Sequence, residues 1–340
     1  MKITIVEVAK RAGVSKTTVS RILNGNFGNA TEETVMRVQR VIQELDYRPN
    51  SLAQGLKQVK TKVIGIILSN LLNPFWMRVL EGVEDTCRSR GYSLMICNSN
   101  DDPAIEEEHI RSFRLRQVDG IIINPTAVNS PLFQSLIGDR YPIVTINRKI
   151  TDLAIDSVVM NNVSGAQAAV EHLIAQGRKR VAFLVYPMQG VSPRVERFEG
   201  YKKALSNHGI EIQAEMFHEI EEKKGEVQKL VKHLLTSENR PDAIFSTNNM
   251  MSLEVLAAIK ETGLRIPQDI ALVGYDETVW SQHLNPPLTT VRQPAMQMGQ
   301  LATERIIELI NSTEIKEPQM TVLEPELIIR ESSSGTALAT

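Results

Sequence analysis

The sequence predicts an α/β protein with two doubly wound, parallel-sheet subdomains, preceded by an all-α helix-turn-helix head and a hinge helix. Three observations lead to this prediction. Residues 4–23 carry apolar positions at helical spacing on both sides of Gly13. Residues 63–68 form a continuous apolar run, which is typical of a strand covered on both faces. Apolar runs and amphipathic segments then alternate, and the alternation restarts after about residue 160, so we expect two parallel sheets with helices on both faces.

The segment from Thr4 to Leu23 is expected to form two short helices about a tight turn. The buried face of the first helix is marked by Ile5, Val8, Ala9 and Ala12. Gly13 ends that helix where the turn needs a residue without a Cβ, and Ser15 is a good N-cap for the second helix. Such a motif places its second helix in the major groove of DNA. The alternative is a plain helical hairpin on a protein surface.

Two motifs connect this head to a known family. Residues 8–21 read Val-Ala-Lys-Arg-Ala-Gly-Val-Ser-Lys-Thr-Thr-Val-Ser-Arg, and residues 47–56 read Tyr-Arg-Pro-Asn-Ser-Leu-Ala-Gln-Gly-Leu. Together they resemble the lactose-repressor family of bacterial transcription regulators, and the resemblance covers essentially the whole chain. It implies a DNA-binding head, a hinge helix, and a core similar to the periplasmic sugar-binding proteins.

These patterns divide the chain into four parts. Residues 1–48 are predicted to be the head, in which Thr31 can cap a third helix, and residues 49–62 the hinge helix and a basic linker. Residues 63–331 are predicted to be a core of two subdomains for effector binding and dimerisation. The Ser/Ala-rich residues 332–340 are predicted to be a disordered tail.

The predicted DNA contacts lie on the second helix and the hinge. Exposed side chains of the second helix can donate hydrogen bonds to phosphates or base edges. In the family, paired hinge helices enter the minor groove, and Leu56 matches a leucine that wedges between bases. Gly55 departs from the family pattern and costs about 1 kcal/mol of helix stability relative to Ala. The predicted DNA-binding residues are Thr4, Ser15, Lys16, Thr17, Thr18, Ser20, Arg21, Asn24, Asn50, Ala53 and Leu56.

Charge and composition fit this assignment. Residues 1–62 hold 11 Lys and Arg against 5 Asp and Glu, a formal charge of +6, whereas the remainder carries −8. A basic head on an acidic core suits a protein whose first domain alone meets a polyanion. The chain begins without a signal peptide, contains no apolar run of the roughly 20 residues that span a membrane, and has two cysteines that suit core positions. These observations favour the cytoplasm and no membrane association.

The ends of the predicted strands are the expected place for a small-molecule effector. Amides and aromatic rings suit sugars, whose hydroxyls bond to amides and whose C–H faces stack on rings. The resemblance assigns the Asn73-Pro74-Phe75 segment, Arg197 and Asp276 to this site. The alternatives are helix caps and surface pairs for the polar residues and core packing for the rings; for the loop at residues 98–102, ligand wall and helix cap are equally compatible. The predicted effector-binding residues are Asn73, Phe75, Trp76, Asn147, Arg148, Asn161, Arg197, Asn249 and Asp276.

Three of these residues change the charge expected for the cleft. Asn147, Asn161 and Asn249 stand where relatives often have Asp, while Arg148 and Arg197 remain cationic. Fewer carboxylates lower the cost of bringing an anion into a site of low dielectric constant. We therefore expect a sugar-acid effector, with a neutral sugar as the next possibility.

Enzyme chemistry is not indicated. The chain lacks a phosphate-binding Gly-x-x-x-x-Gly-Lys-[Ser/Thr] loop, a Gly-x-Ser-x-Gly elbow and a His-Glu-x-x-His motif, and its six histidines show no metal-ligand spacing. We predict no catalytic residue, no metal and no cofactor. The prediction is a ligand-responsive transcription regulator, a repressor that binds palindromic double-stranded operator DNA as a homodimer. The rival classes, a sugar-binding transport component or a sugar-acting enzyme, would both lack the head.

Overall fold

The computed structural model describes residues 4–23, 27, 30–45, 60–126, 128–314 and 316–334. The chain forms two compact units, Met1–Thr61 and Lys62–Thr340. The predicted contacts at Asn24, Asn50, Ala53 and Leu56, and nearly all of the predicted hinge and linker, lie outside the described residues. Within the described ranges, no helix is both long enough and apolar enough to cross a membrane.

The first unit contains the predicted helix-turn-helix. Its helices are α1 (Ile5–Ala12), α2 (Lys16–Leu23) and α3 (Glu32–Glu44). Gly13 follows α1 with φ of 66°, a left-handed conformation that glycine adopts without steric cost. Ser15 Oγ accepts a hydrogen bond from the Thr18 amide at 3.1 Å, and Thr31 Oγ1 accepts one from the Thr34 amide at 3.3 Å. Both predicted caps are therefore confirmed. The three helices bury a common apolar core that includes Val8, Ala12, Val19, Ile22 and Val38.

The described part of the second unit forms two six-stranded sheets. The strands are β1 (Val63–Leu68), β2 (Ser93–Asn98), β3 (Gly120–Ile123), β4 (Ile143–Ile146), β5 (Asp156–Met160), β6 (Val181–Val185), β7 (Phe217–Glu219), β8 (Ala243–Ser246), β9 (Ala271–Tyr275), β10 (Thr289–Arg292), β11 (Met320–Leu323) and β12 (Glu326–Ile328). The first sheet has the order β11-β5-β4-β3-β1-β2 and the second β12-β10-β9-β8-β6-β7. Neighbouring strands are parallel throughout, except that β12 runs antiparallel to β10. The doubly wound α/β architecture is confirmed.

Helices cover both faces of each sheet. They are α4 (Pro74–Ser89), α5 (Pro103–Leu115), α6 (Ser130–Gly138), α7 (Asn162–Ala175), α8 (Ser192–Asn207), α9 (Glu226–Thr236), α10 (Asn249–Thr262) and α11 (Ala295–Asn311). The chain crosses between the sheets three times: between β5 and α7, between β10 and α11, and between β11 and β12. Each subdomain is therefore built from discontinuous parts of the chain.

Three of the predictions made from the sequence differ from the structure. The sequence pattern predicts a strand near Ile212, but Ile212 lies exposed in the loop after α8 and the strand forms at Phe217–Glu219. The pattern also predicts a crossing segment at residues 290–292, but these residues belong to β10, an inner strand of the second sheet, and the crossing follows them. The predicted disordered tail begins too early, because Ser332 and Ser333 are buried. Ser332 Oγ donates to the Leu272 carbonyl at 2.7 Å, whereas residues 335–340 lie outside the described residues.

Two glycines allow α4 and α11 to touch through their backbones on the face of the first sheet. A Cβ on Gly82 would lie 2.0 Å from the Met296 carbonyl oxygen, and a Cβ on Gly299 would lie 2.1 Å from the Val79 carbonyl oxygen. Neither backbone can yield easily, because both helices bury apolar residues in one core cluster.

Gly299→Ala is expected to lower the free energy of unfolding by about 1–3 kcal/mol, because the added methyl group overpacks this helix contact. Urea denaturation followed by circular dichroism measures the change. Gly138→Ala is the matched control, since a Cβ there would meet no atom within 4 Å. Equal stabilities of the two variants would contradict the close approach of α4 and α11.

Candidate ligand-binding cleft

The carboxyl ends of the strands in the two sheets border one cavity of about 460 Å³. Both subdomains contribute side chains to its wall, mainly from the loops that follow β1, β2, β4, β8 and β9 and from α8. From the first subdomain these are Ser69, Asn70, Leu72, Asn73, Phe75, Trp76, Asn100, Asp101, Asn147 and Arg148. From the second they are Val191, Pro193, Arg194, Arg197, Glu222, Asn248, Met250, Asp276 and Gln293.

The structure brings most of the predicted effector-binding residues together in this cavity. Those in its wall are Asn73, Phe75, Trp76, Asn147, Arg148, Arg197 and Asp276. Asn249 lies beside it, buried and hydrogen-bonded to two residues of the wall. Among the described residues, no group of three or more His, Cys, Asp or Glu side chains could hold a metal ion.

Asn161 is the predicted residue that the structure places elsewhere. It is the N-cap of α7, where its side-chain oxygen accepts from the Ser164 amide at 3.1 Å and its amide donates to Glu324 at 2.9 Å. The side-chain oxygen and the side-chain amide of Asn161 are thus both hydrogen-bonded, at the place where the chain crosses between the subdomains. The structure does not place Asn161 in the cavity wall, because the chain is already turning into α7 at this point. The next residue, Asn162, is the one that points towards the cleft residues.

An aromatic wall closes one side of the cavity. Phe75 and Trp76 are both buried at the start of α4, with ring centroids 4.9 Å apart in an edge-to-face arrangement. Asn73 caps this helix through a bond from the Phe75 amide to its side-chain oxygen at 2.9 Å. Capping and cavity lining are therefore compatible at Asn73, because the same oxygen also accepts from the Asn249 side chain across the cleft at 2.8 Å.

Arg197 is fixed in the second subdomain by contacts on several sides. Its Nε donates to Asn162 Oδ1 at 3.1 Å, its Nη1 donates to the Thr247 carbonyl at 2.7 Å, and its guanidinium lies 3.7 Å from the Tyr275 ring centroid. Tyr275 OH also donates to Asn162 Oδ1 at 3.2 Å. Asn162 and Tyr275 were not predicted as part of the site, and they orient the arginine from behind.

Arg148 is the corresponding cation of the first subdomain. It is 6% exposed, and its guanidinium forms a two-pronged pair with Asp101, at 2.5 Å from Nη1 and 2.7 Å from Nη2. Nη1 also donates to the Pro125 carbonyl at 3.2 Å. The cavity wall therefore already contains a carboxylate at the position where an anionic ligand would be expected.

The second subdomain repeats this arrangement. Arg194 in α8 donates from Nη2 to Glu222 at 2.9 Å and from Nη1 to the Pro187 carbonyl at 2.9 Å. The sequence analysis missed Arg194 and Glu222, and it did not single out Asp101 within the loop at residues 98–102. The sequence could have indicated Arg194, because it lies one helical turn before Arg197 and residues at this spacing share one face of a helix. The predicted surplus of positive charge is thus corrected: three arginines meet three acids, Asp101, Glu222 and Asp276.

Asp276 lies in a buried polar network at the end of β9. It accepts hydrogen bonds from Gln293 and, at 3.4 Å, from Asn249. Burial raises the pKa of the Asp276 carboxyl, with Arg197 and the hydrogen bonds opposing the rise, so its neutral form is favoured relative to an exposed aspartate. Asn249 Oδ1 and Gln293 Oε1 are buried and have no hydrogen-bond partner within the described part of the chain. These oxygens can accept bonds from ligand hydroxyl groups.

Four wall residues share a left-handed backbone. The φ angles are 51° for Asn100, 63° for Asp101, 64° for Asn147 and 72° for Asp276. Asn and Asp adopt this conformation more readily than other side chains, and such residues often lie at functional sites. The loop at residues 98–102 serves both of its proposed purposes: Asp101 lines the cavity, and Asp102 caps α5 through a 2.8 Å bond from the Ala104 amide.

Comparison with known proteins supports both units. Residues 4–50 match the family described as bacterial regulatory proteins, lacI family, and residues 170–333 match a periplasmic binding protein-like domain. The chain is 37% identical over 319 residues to the probable HTH-type transcriptional regulator EndR of Paenibacillus polymyxa, covering 92% of each chain.

Two solved structures are similar over nearly their full lengths. The lac repressor dimer bound to operator and the anti-inducer ONPF is 26% identical with a TM-score of 0.87, covering 98% of this chain and 99% of that one. A complex of the transcriptional regulator CelR with cellobiose is 30% identical with a TM-score of 0.73, covering 97% and 99%.

Proposed function

Because this chain belongs to the lacI family of bacterial regulatory proteins, a family of DNA-binding transcription regulators and not of enzymes, we propose that it is an effector-controlled repressor. It acts in the cytoplasm as a homodimer on a palindromic operator, and its cleft takes a sugar acid. The observation that carries the effector proposal is the presence of buried arginines, Arg148 and Arg197, on the two sides of one cavity, whose wall also includes Gln293 with an unpartnered acceptor oxygen.

The head supports the DNA-binding part of this proposal. Lys16, Thr17 and Arg21 are exposed on α2, while Thr18 and Ser20 are half-buried. A donor-rich exposed face on the second helix of the motif suits contacts to phosphates and base edges. Thr4 and Ser15 are exposed at the starts of α1 and α2, where helix N-termini favour phosphate groups.

Chemistry on the two sides of the cleft suits a ligand with both a carboxylate and hydroxyl groups. Arg148 and Arg194 present forked donors, which match carboxylate geometry. Asn249 Oδ1 and Gln293 Oε1 accept from hydroxyls, and the rings of Phe75 and Trp76 cover an apolar face. An effector touching both subdomains biases their relative angle, which couples the cleft to operator affinity through a two-state equilibrium.

A neutral sugar is the second candidate. The equal numbers of arginines and acids in the wall favour it, as does the cellobiose named with the similar regulator CelR. The two candidates differ in one measurable property, the contribution of a ligand carboxylate to affinity.

Calorimetry with matched aldose, aldonate and keto-deoxy acid ligands tests the proposal. The acid of the best-binding pair is expected to bind at least about tenfold more tightly than its neutral partner, the equivalent of about 1.4 kcal/mol. Arg148→Gln is expected to lower acid affinity at least tenfold, with little change for the neutral partner. Tighter binding of the neutral ligand in every pair would refute the sugar-acid proposal.

A further inference from the structure

Both arginine–carboxylate pairs of the cleft have the same exposure pattern. The Arg148 side chain is 7% exposed and its partner Asp101 is 38% exposed, while Arg194 is 18% exposed and Glu222 is 48% exposed. In each pair the cation is held in the wall and the carboxylate reaches it from the solvent side. This asymmetry means that the acid can be removed without moving the arginine.

We propose that Asp101 is a resident carboxylate, which occupies the anion-binding position of Arg148 until the carboxylate of an acidic effector replaces it. This inference rests on the proposed sugar-acid function and assigns Asp101 the role of a selectivity residue. The exchange breaks no covalent bond: one carboxylate leaves the guanidinium and another takes its two hydrogen bonds.

Arg148 is held in place independently of Asp101. Its Nη1 donates to the Pro125 carbonyl, and the adjoining residue Thr126 is anchored by the buried Glu106. The Thr126 amide donates to Glu106 Oε2 at 2.6 Å, and Thr126 Oγ1 donates to Glu106 Oε1 at 2.7 Å. Asn129 donates to the same carboxylate at 2.8 Å. The loop that positions Arg148 therefore keeps its structure when Asp101 moves away.

The Asp101 carboxylate, in contrast, is held only weakly in its position. The hydrogen bonds that its carboxylate makes within the described part of the chain all go to Arg148. Its backbone and that of Asn100 are both left-handed, a conformation that residues with a Cβ adopt less readily than the right-handed one. Rotation of the Asp101 side chain into solvent restores hydration to its half-exposed carboxylate.

The exchange of one carboxylate for another also explains a preference for an acidic ligand over a neutral one, although the cavity wall has equal numbers of arginines and acids. Replacing Asp101 with a ligand carboxylate keeps the buried guanidinium paired, so no uncompensated charge remains in the cleft. A neutral sugar cannot displace Asp101 without leaving Arg148 unpaired, and it must bind beside the intact pair. Burial lowers the pKa of Arg194, and Glu222 opposes this shift. The charge of Arg148 lowers the same pKa and the charge of Asp101 raises it, both with smaller effects. An anion at Arg148 therefore also acts on Arg194.

The test is calorimetry on the full chain with Asp101→Asn, using the acid and neutral members of the best-binding aldonate pair. Removing the competing charge is expected to tighten acid binding about tenfold and to raise the ratio of acid affinity to neutral-sugar affinity by a similar factor. Asp139→Asn is the matched control, because Asp139 also pairs with an arginine, Arg114, at 2.8 Å but lies exposed and outside the cavity wall. It is expected to change neither affinity.

Two further variants keep the outcome clear. Asp101→Glu retains the competing carboxylate, and its acid affinity is expected to stay within about threefold of the wild type. Asp101→Ser removes the charge with a smaller side chain and replaces Asp101→Asn if that variant does not fold. Unchanged or weaker acid binding in the charge-removing variant would overturn the exchange, while the acid preference of the wild type would still support the proposed function. A wild type that prefers neutral sugars would overturn both.

Discussion

Deletion of residues 1–61 is expected to abolish operator binding and to leave effector binding intact. The head and the core form separate compact units, and each described part buries its own apolar residues. Residues from 63 onward carry a formal charge of −8, so the isolated core has no electrostatic attraction to DNA phosphates. We expect operator affinity to fall by at least about a thousandfold, the ratio that separates specific from non-specific binding.

Fluorescence anisotropy with labelled operator measures the loss, and calorimetry measures effector affinity in the same preparation. The effector dissociation constant of the core is expected to remain within about twofold of the full chain. Sedimentation equilibrium reports whether the core is still a dimer, as we predict. An unfolded or insoluble core would contradict the division of the chain at residues 61 and 62.

Substitution of Arg197 by Gln is expected to produce the largest loss of effector affinity from a single change. The guanidinium bridges Asn162, the Thr247 carbonyl and the Tyr275 ring, and it is 7% exposed in the cavity wall. Glutamine is too short to make these contacts together. We expect effector affinity to fall about a hundredfold, equivalent to about 2.7 kcal/mol.

The structural cost of this change must be separated from the loss of binding. Leaving Asn162 and the Thr247 carbonyl without their donor is expected to lower the free energy of unfolding by about 1–3 kcal/mol. Urea denaturation gives that value, and Arg197→Lys tests whether charge alone is sufficient. Arg111→Gln, at an exposed arginine paired with Glu107, is the matched control. Retention of full effector affinity in Arg197→Gln would remove Arg197 from the proposed site.

The sequence was most informative where local chemistry determines the structure. The turn at Gly13 and the caps at Ser15 and Thr31 depend on residues within three positions, and all were predicted. The strand-end residues of the cleft were predicted for a different reason, since the carboxyl ends of parallel strands converge wherever their connecting helices lie. Phe75 and Asp276 illustrate this convergence, because they are 201 residues apart in the chain and line one cavity.

The missed features depend on partners that are remote in sequence. Pro103 marks Asp102 as the N-cap of a helix, but no local pattern indicates that Asp101 pairs with Arg148. Asn162 acquires its importance from Arg197 and Tyr275, which lie on α8 and β9. The expected shortage of carboxylates in the cleft was wrong for the same reason, because it counted substitutions at known positions and could not include the carboxylates of Asp101 and Glu222, which their loops bring into the wall.

The helix contact at Gly82 and Gly299 has a consequence for biosynthesis. The helix that carries Gly299 and the edge strand Met320–Leu323 both belong to the sheet whose first strand is Val63–Leu68. The ribosome must therefore synthesise residues up to 323 before the subdomain that starts first has all of its parts. A stop codon anywhere between these elements leaves both subdomains incomplete, since the other sheet also awaits Glu326–Ile328. Neither half of the cleft can therefore complete its sheet before the last strands, Met320–Leu323 and Glu326–Ile328, have been synthesised.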